Sequence, residues 1–191
     1  MKLILLHVLL ACSFLATQAQ TTISINWVQK NSQPPEQVIL YDKKVKLTWA
    51  DFKGKPNLPN PTVAITSSGF GYDMGIQTKN DKATIKLFIY CSFDKQQSWV
   101  KPGQNTPYIL EHEQHHFDAT FIASQEFIKK IRTANLTPQN ATKVLADLYK
   151  QCFDSMNKMQ NDYDDQTQNG LVKAKQAEWS AFFKKKLTEY E

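Results

Sequence analysis

The chain has 191 residues, 41% hydrophobic and 12% aromatic, which suits one packed domain and excludes collagen-like, low-complexity and disordered classes. Its 23 basic and 18 acidic residues leave a net charge of +5 spread along the chain. No basic stripe is interleaved with aromatics, so the sequence argues against a nucleic-acid partner, and the run Lys184-Lys185-Lys186 reads as a solvated helix face.

In chain order, the first element is an expected secretory leader. Lys2 supplies a positive start, Leu3 to Leu15 is an apolar run too short to span a bilayer, and Thr17-Gln18-Ala19 places cleavage after Ala19. A second possible cut is the lipobox-like Leu9-Leu10-Ala11-Cys12, which would lipidate Cys12. The expectation is a leader over 1–19 and a single domain over 20–191. The mature chain would be secreted, periplasmic or envelope-associated, with no integral membrane span. Cleavage after Ala19 leaves two cysteines, Cys91 and Cys152, and an even pair in an oxidising compartment predicts one disulfide.

Residues from about Thr22 to Trp99 read as strands and turns. Val38 to Trp49 is strand-like in two pieces, and the stretch from Gly54 to Pro61 is a loop dense in proline and glycine. Thr62 to Tyr72 is β-rich, with Gly69 and Gly71 marking a bulge or a close approach. Ala83 to Phe93 is the strongest strand, entered through a turn at Lys79-Asn80-Asp81-Lys82. The spacing predicts a small, mostly antiparallel sheet.

From Thr106 the pattern turns helical. Thr106-Pro107 is a capped start for a helix reaching about Arg132. Thr137-Pro138 predicts a second start, and Leu145, Leu148, Cys152, Met156, Met159 and Tyr163 give that helix one apolar face. Asn169-Gly170 ends it, and a third helix covers about Leu171 to Leu187.

The first helix carries His112-Glu113-Gln114-His115-His116. His112 and His116 are one turn apart on one face, the spacing at which two imidazoles meet one zinc ion. Glu113, beside the first ligand, can act as general base on a water that the metal acidifies. Histidine is scarce: beyond the leader there are only His112, His115 and His116. His115 could be an outer contact, exposed, or a ligand in place of His116. A third ligand must come from elsewhere, and bridged cysteines would be poor candidates. A carboxylate, or an amide or tyrosine in a weaker role, remains. In the acidic cluster Asp162-Tyr163-Asp164-Asp165, Asp164 is the choice. Asp118 points to a different face and suits an outer hydrogen bond.

Several segments then become familiar in order. They are Leu47-Thr48-Trp49-Ala50-Asp51-Phe52-Lys53-Gly54, Thr66-Ser67-Ser68-Gly69-Phe70, Ser98-Trp99-Val100 and His112-Glu113-Gln114-His115-His116-Phe117-Asp118. With Tyr163-Asp164-Asp165-Gln166-Thr167 and Gln176-Ala177-Glu178-Trp179, they resemble the bacterial family called domain of unknown function 922. Its members are described as secreted zinc-dependent proteases. The resemblance spans about residues 40 to 180 and implies an α+β, zincin-like fold, with the sheet before three long helices. It departs at one place: the family is associated with a histidine followed by a small residue where this chain has Asn169-Gly170. If that histidine is the family's third ligand, this chain has lost it; if the aspartate is, the site is intact.

The leading expectation is therefore a secreted zinc-dependent peptidase acting on a peptide or protein substrate. Zn2+ is held by His112, His116 and Asp164, and Glu113 is the base. The strand Ala83 to Phe93 is the expected docking edge for an extended peptide. The alternative is a non-catalytic exported binding or envelope-associated protein on the same scaffold, favoured by Asn169 and opposed by Glu113. Hydrolysis of a non-peptide amide or ester shares the same metal chemistry.

Overall fold

The computed structural model describes residues 21–29, 36–80 and 82–190. The expected leader, its cleavage point and Cys12 lie outside the described residues. Strands β1 (Thr21–Trp27), β2 (Val38–Leu40), β3 (Ala64–Ile65), β4 (Ser68–Lys79), β5 (Lys82–Asp94) and β6 (Trp99–Val100) precede three helices. These are α1 (Pro107–Thr133), α2 (Ala141–Thr167) and α3 (Lys173–Thr188). The architecture is α+β, a sheet followed by three helices. Among the described residues no helix is long and apolar enough to cross a membrane.

β5 organises the sheet. Every second residue from Ala83 through Ile85, Leu87, Ile89, Cys91 and Phe93 is buried, the period-two signature of a strand with one covered face. Burying each of the large apolar side chains contributes about 1.5–3 kcal/mol. β4 pairs with β5 along its length in antiparallel register, closing at Lys79 opposite Lys82. Asn80 takes the left-handed φ of 49° there, which asparagine tolerates better than most residues. The predicted close approach occurs at Gly71, where a Cβ would lie 2.6 Å from the Tyr90 hydroxyl.

Three expectations are corrected. First, β5 is interior: β1 and β2 share its other side, so it offers no free edge for a peptide. The pairing of β1 with β5 is parallel, whereas β2 and β4 are antiparallel to it. Second, Val45–Thr48 is not a strand. Leu47 is buried, but its N–H is donated to the Gln114 side chain at 2.9 Å instead of to a neighbouring strand, and a 3-10 turn follows at Trp49–Asp51. Third, Cys91 and Cys152 are both buried free thiols. Cys91 lies under the sheet within the influence of Asp118, and Cys152 beside Glu126 and Lys130. Cys91 sits in β5 and Cys152 in the middle of α2, and their sulfurs are not within bridging distance.

α1 begins as predicted, with Thr106 Oγ1 accepting the Ile109 N–H at 3.2 Å and Pro107 in the first turn. α2 starts later than expected. Thr137 and Asn140 cap one another's backbone N–H groups across a turn, and the helix follows Asn140. The predicted α2 stripe does face inward: Leu145, Cys152, Met156 and Tyr163 are buried, with Leu148 and Met159 packed beside them.

The placement of the site follows from α1 being covered on two sides. Phe117, Phe121, Phe127, Ile128 and Ile131 join the core beneath the sheet. Ala119 and Ile122 join a second cluster with Tyr163 of α2 and Phe183 of α3. The polar run His112–His116 and Asp118 are thereby buried, although nothing in their own chemistry asks for burial.

Candidate metal centre

His112 and His116 project from α1 towards the last turns of α2, where Asp164 meets them. His112 Nε2 and His116 Nε2 each lie 3.1 Å from Asp164 Oδ1, and 3.3 Å from one another. Donors about 2.0–2.1 Å from a tetrahedral ion stand about 3.4 Å apart, so this triangle is close to the size a four-coordinate metal requires. Together the three residues could hold a metal ion. The donor set of two nitrogens and one oxygen suits a first-row transition ion; calcium and magnesium call for six or more mostly oxygen donors.

The far side of each imidazole is held by an amide. His112 Nδ1 is 3.2 Å from Gln176 Oε1 of α3, and His116 Nδ1 is 3.1 Å from Gln160 Oε1 of α2. Gln176 Nε2 donates to the Tyr108 carbonyl, and Gln160 Nε2 points at Thr120 Oγ1, which itself donates to the His116 carbonyl. With both amide NH2 groups turned away, each Nδ1 must be the N–H donor. In the neutral ring each Nε2 then presents its lone pair to the Asp164 carboxylate, and in the protonated ring it donates an N–H to it. Three acceptors converging at 3.1–3.3 Å repel unless a cation or proton lies among them, and this is the observation that most favours a metal. Tyr163 stacks on the His112 ring at 4.5 Å and helps fix its plane.

The charges agree with this geometry. Burial opposes a charge on His116, but Asp164 and Glu113 outweigh it and lift the imidazole above its ordinary pKa. Burial also opposes ionisation of Asp164, yet the hydrogen bonds from His112 and His116 hold its carboxyl well below the usual range. Glu113 is 3% exposed, and burial raises its pKa despite the opposing pull of His116 and His112. Its Oε2 finds no hydrogen-bond partner among the described residues. All three metal candidates and Glu113 line a cavity of about 200 Å3, walled on the far side by the segment 62–66 and by Tyr108, Asn169 and Gly170. Thr66 ties that wall to α1 by donating to the Glu113 carbonyl at 3.1 Å.

Asn169 lines the same cavity, and its backbone forms part of the helix terminus. Gln168, Asn169 and Gly170 have φ of 49°, 53° and 87°, and the Asn169 N–H closes on the Asp164 carbonyl at 2.9 Å. Asparagine is among the residues best suited to such a left-handed cap. Glycine suits position 170 for two reasons: its φ of 87° disfavours other residues, and a Cβ there would sit 3.2 Å from Gln176 Oε1. Its carbonyl accepts the Tyr108 hydroxyl at 2.7 Å.

His115 and Asp118 turn away from this cavity. Asp118 accepts from the Tyr41 hydroxyl at 2.7 Å, Gln114 Nε2 at 2.9 Å and His115 Nδ1 at 3.1 Å. It orients His115, not a metal candidate. Sequence reasoning missed Gln160, Gln176, Tyr108 and Thr66. Gln176 and Thr66 carried some signal, within the segments Gln176-Ala177-Glu178-Trp179 and Thr66-Ser67-Ser68-Gly69-Phe70. No family model, curated protein or solved structure matches this chain.

Proposed function

We propose that the chain is a zinc-dependent hydrolase whose substrate is a peptide, with His112, His116 and Asp164 holding the ion and Glu113 serving as general base. The observation that carries the reading is the convergence of two imidazole Nε2 atoms and a carboxylate beside a buried glutamate oxygen that has no partner among the described residues. When bound, zinc supplies Lewis acidity that polarises a carbonyl and acidifies water. Glu113 takes up a proton through its free Oε2 and returns it to the leaving amine. Its raised pKa brings it nearer the neutral range in which a base of this kind is effective.

Gln160 and Gln176 keep both imidazoles in the ligating tautomer. Tyr108 and the segment 62–66 form the opposite wall, and the extended main chain there offers hydrogen bonds to a peptide. That assignment replaces β5 as the docking strand. A metal kept for structure alone has no use for a buried, unpartnered carboxylate next to its ligand, so Glu113 favours catalysis over a binding-only role.

The test is cleavage of a peptide library by wild type and by Glu113→Gln. The variant should keep its zinc and lose about 10²–10⁴-fold in turnover. Equal turnover in both proteins would overturn the assignment of the base.

A further inference from the structure

A second cluster of reactive groups lies around His115, whose ring is 6.1 Å from that of Tyr163. His115 Nδ1 is 3.1 Å from Asp118 Oδ2, and His115 Nε2 is 2.9 Å from Ser180 Oγ of α3. Asp118 is 1% exposed and is also held by Tyr41 and Gln114, with Lys46 Nζ at 3.8 Å. His115 lies flat on Phe183 at 4.8 Å, so the ring cannot swing freely. Asp118 therefore accepts the Nδ1–H, and Nε2 is left to accept the Ser180 hydroxyl proton. The other acceptor near that hydroxyl is Glu111 Oε1, farther away at 3.4 Å.

These three groups open into a cavity of about 570 Å3, larger than the one at the metal centre and mainly apolar. Leu47, Leu110, Ala181 and Leu187 supply the apolar wall, and Lys46 and Lys184 the charge. A roomy apolar cavity with a few converging polar groups has the build of a ligand site, and an Asp–His–Ser chain is recognised by its geometry whatever its order in sequence.

We propose that Ser180, His115 and Asp118 form a second, metal-independent hydrolytic site for carboxylic esters with an apolar acyl chain. Ser180 Oγ bonds to the ester carbon while its proton passes to His115 Nε2 and the carbonyl electron pair moves onto oxygen. That pair returns, the bond to the alkoxide breaks, and His115 protonates the departing alcohol. Water then attacks the acyl-Ser180, giving a proton to His115. The Oγ–carbon bond breaks, Oγ regains the proton and the acid is released. Ser180 lies in mid-helix, where its own N–H is committed to the helix. The developing oxyanion is therefore met by side chains: Lys184, one turn further along α3, and Lys46. The apolar wall receives the acyl chain.

The experiment treats the zinc-loaded protein with an alkyl fluorophosphonate and follows p-nitrophenyl butanoate hydrolysis in parallel. The expected result is one phosphonyl adduct on the peptide containing Ser180. Ester turnover should fall about a hundredfold or more in Ser180→Ala, with zinc content unchanged. Alanine at this half-exposed helical position favours the helix, so folding is not at issue. Labelling of Ser180 should persist after chelation, which separates this site from the metal centre. No adduct on Ser180, or equal labelling rates in wild type and His115→Gln, would overturn the proposal. So would ester turnover that survives Ser180→Ala and vanishes on chelation.

Discussion

Replacing Gln176 by methionine keeps the length of a side chain that is 1% exposed and removes its amide. His112 Nδ1–H then loses the acceptor 3.2 Å away, and the Tyr108 carbonyl loses its donor, both at a protected position. An imidazole released on that side can shift its proton to Nε2, which converts the ligating nitrogen into a donor. Loss of one such outer contact lowers metal affinity about 10–100-fold, or about 1.4–2.7 kcal/mol. Competition titration of the metal-free protein against a chromophoric zinc chelator reads that change directly. Gln160→Met strips His116 of its contact at 3.1 Å and should fall in the same range. Zinc affinities within about threefold of wild type for both variants would refute the reasoning, because the two amides would then be packing and nothing more.

Zinc uptake near pH 6.5 should release a proton. The pKa of His116 is raised in the fold, so the stability its charged pairing contributes is fully present below the unfolded value of about 6.5 and is lost as pH rises through the folded value. Asp164 is depressed, so its contribution is present above its unfolded pKa and lost as pH falls through the folded one. The metal-free protein should therefore soften on the alkaline side while apparent zinc affinity rises there. Calorimetry in buffers of different ionisation enthalpy counts the protons, and a count of zero would contradict the pairing. Asp118→Ala should cost on the order of 3–5 kcal/mol in urea unfolding, because it leaves the Tyr41, Gln114 and His115 donors buried without an acceptor. A loss below about 1 kcal/mol would mean that water replaces the carboxylate.

The parts of this fold that local chemistry dictates were legible in the sequence. Thr106-Pro107 starts α1, the alternation from Ala83 to Phe93 makes β5, and the α2 stripe faces inward. His112 and His116 meet because four residues make one helical turn. Asp164 emerged by elimination, and part of that elimination assumed a Cys91–Cys152 bridge that the fold does not make. What takes the cysteines out of contention is their position under the sheet and against α1.

Long-range choices left no local mark. Nothing in Thr21–Trp27 announces parallel pairing with a strand 62 residues later, and that pairing is what makes β5 interior. Val45–Thr48 alternates like a strand, yet Leu47 is claimed by the side chain of Gln114. The neutral amides of Gln160 and Gln176 carry neither charge nor periodicity, and only the packing of three helices reveals their roles. The backbone of Asn169, with its φ of 53°, belongs to the helix terminus, while the residue also lines the cavity of the metal candidates.

Metal content tests the central claim most directly. Protein purified without a histidine tag, dialysed and measured by elemental mass spectrometry, should hold about one zinc per chain, and His112→Ala and Asp164→Ala should each lose it. A wild-type protein that is metal-free and takes up no zinc on addition would contradict the metal centre, and the hydrolase reading with it.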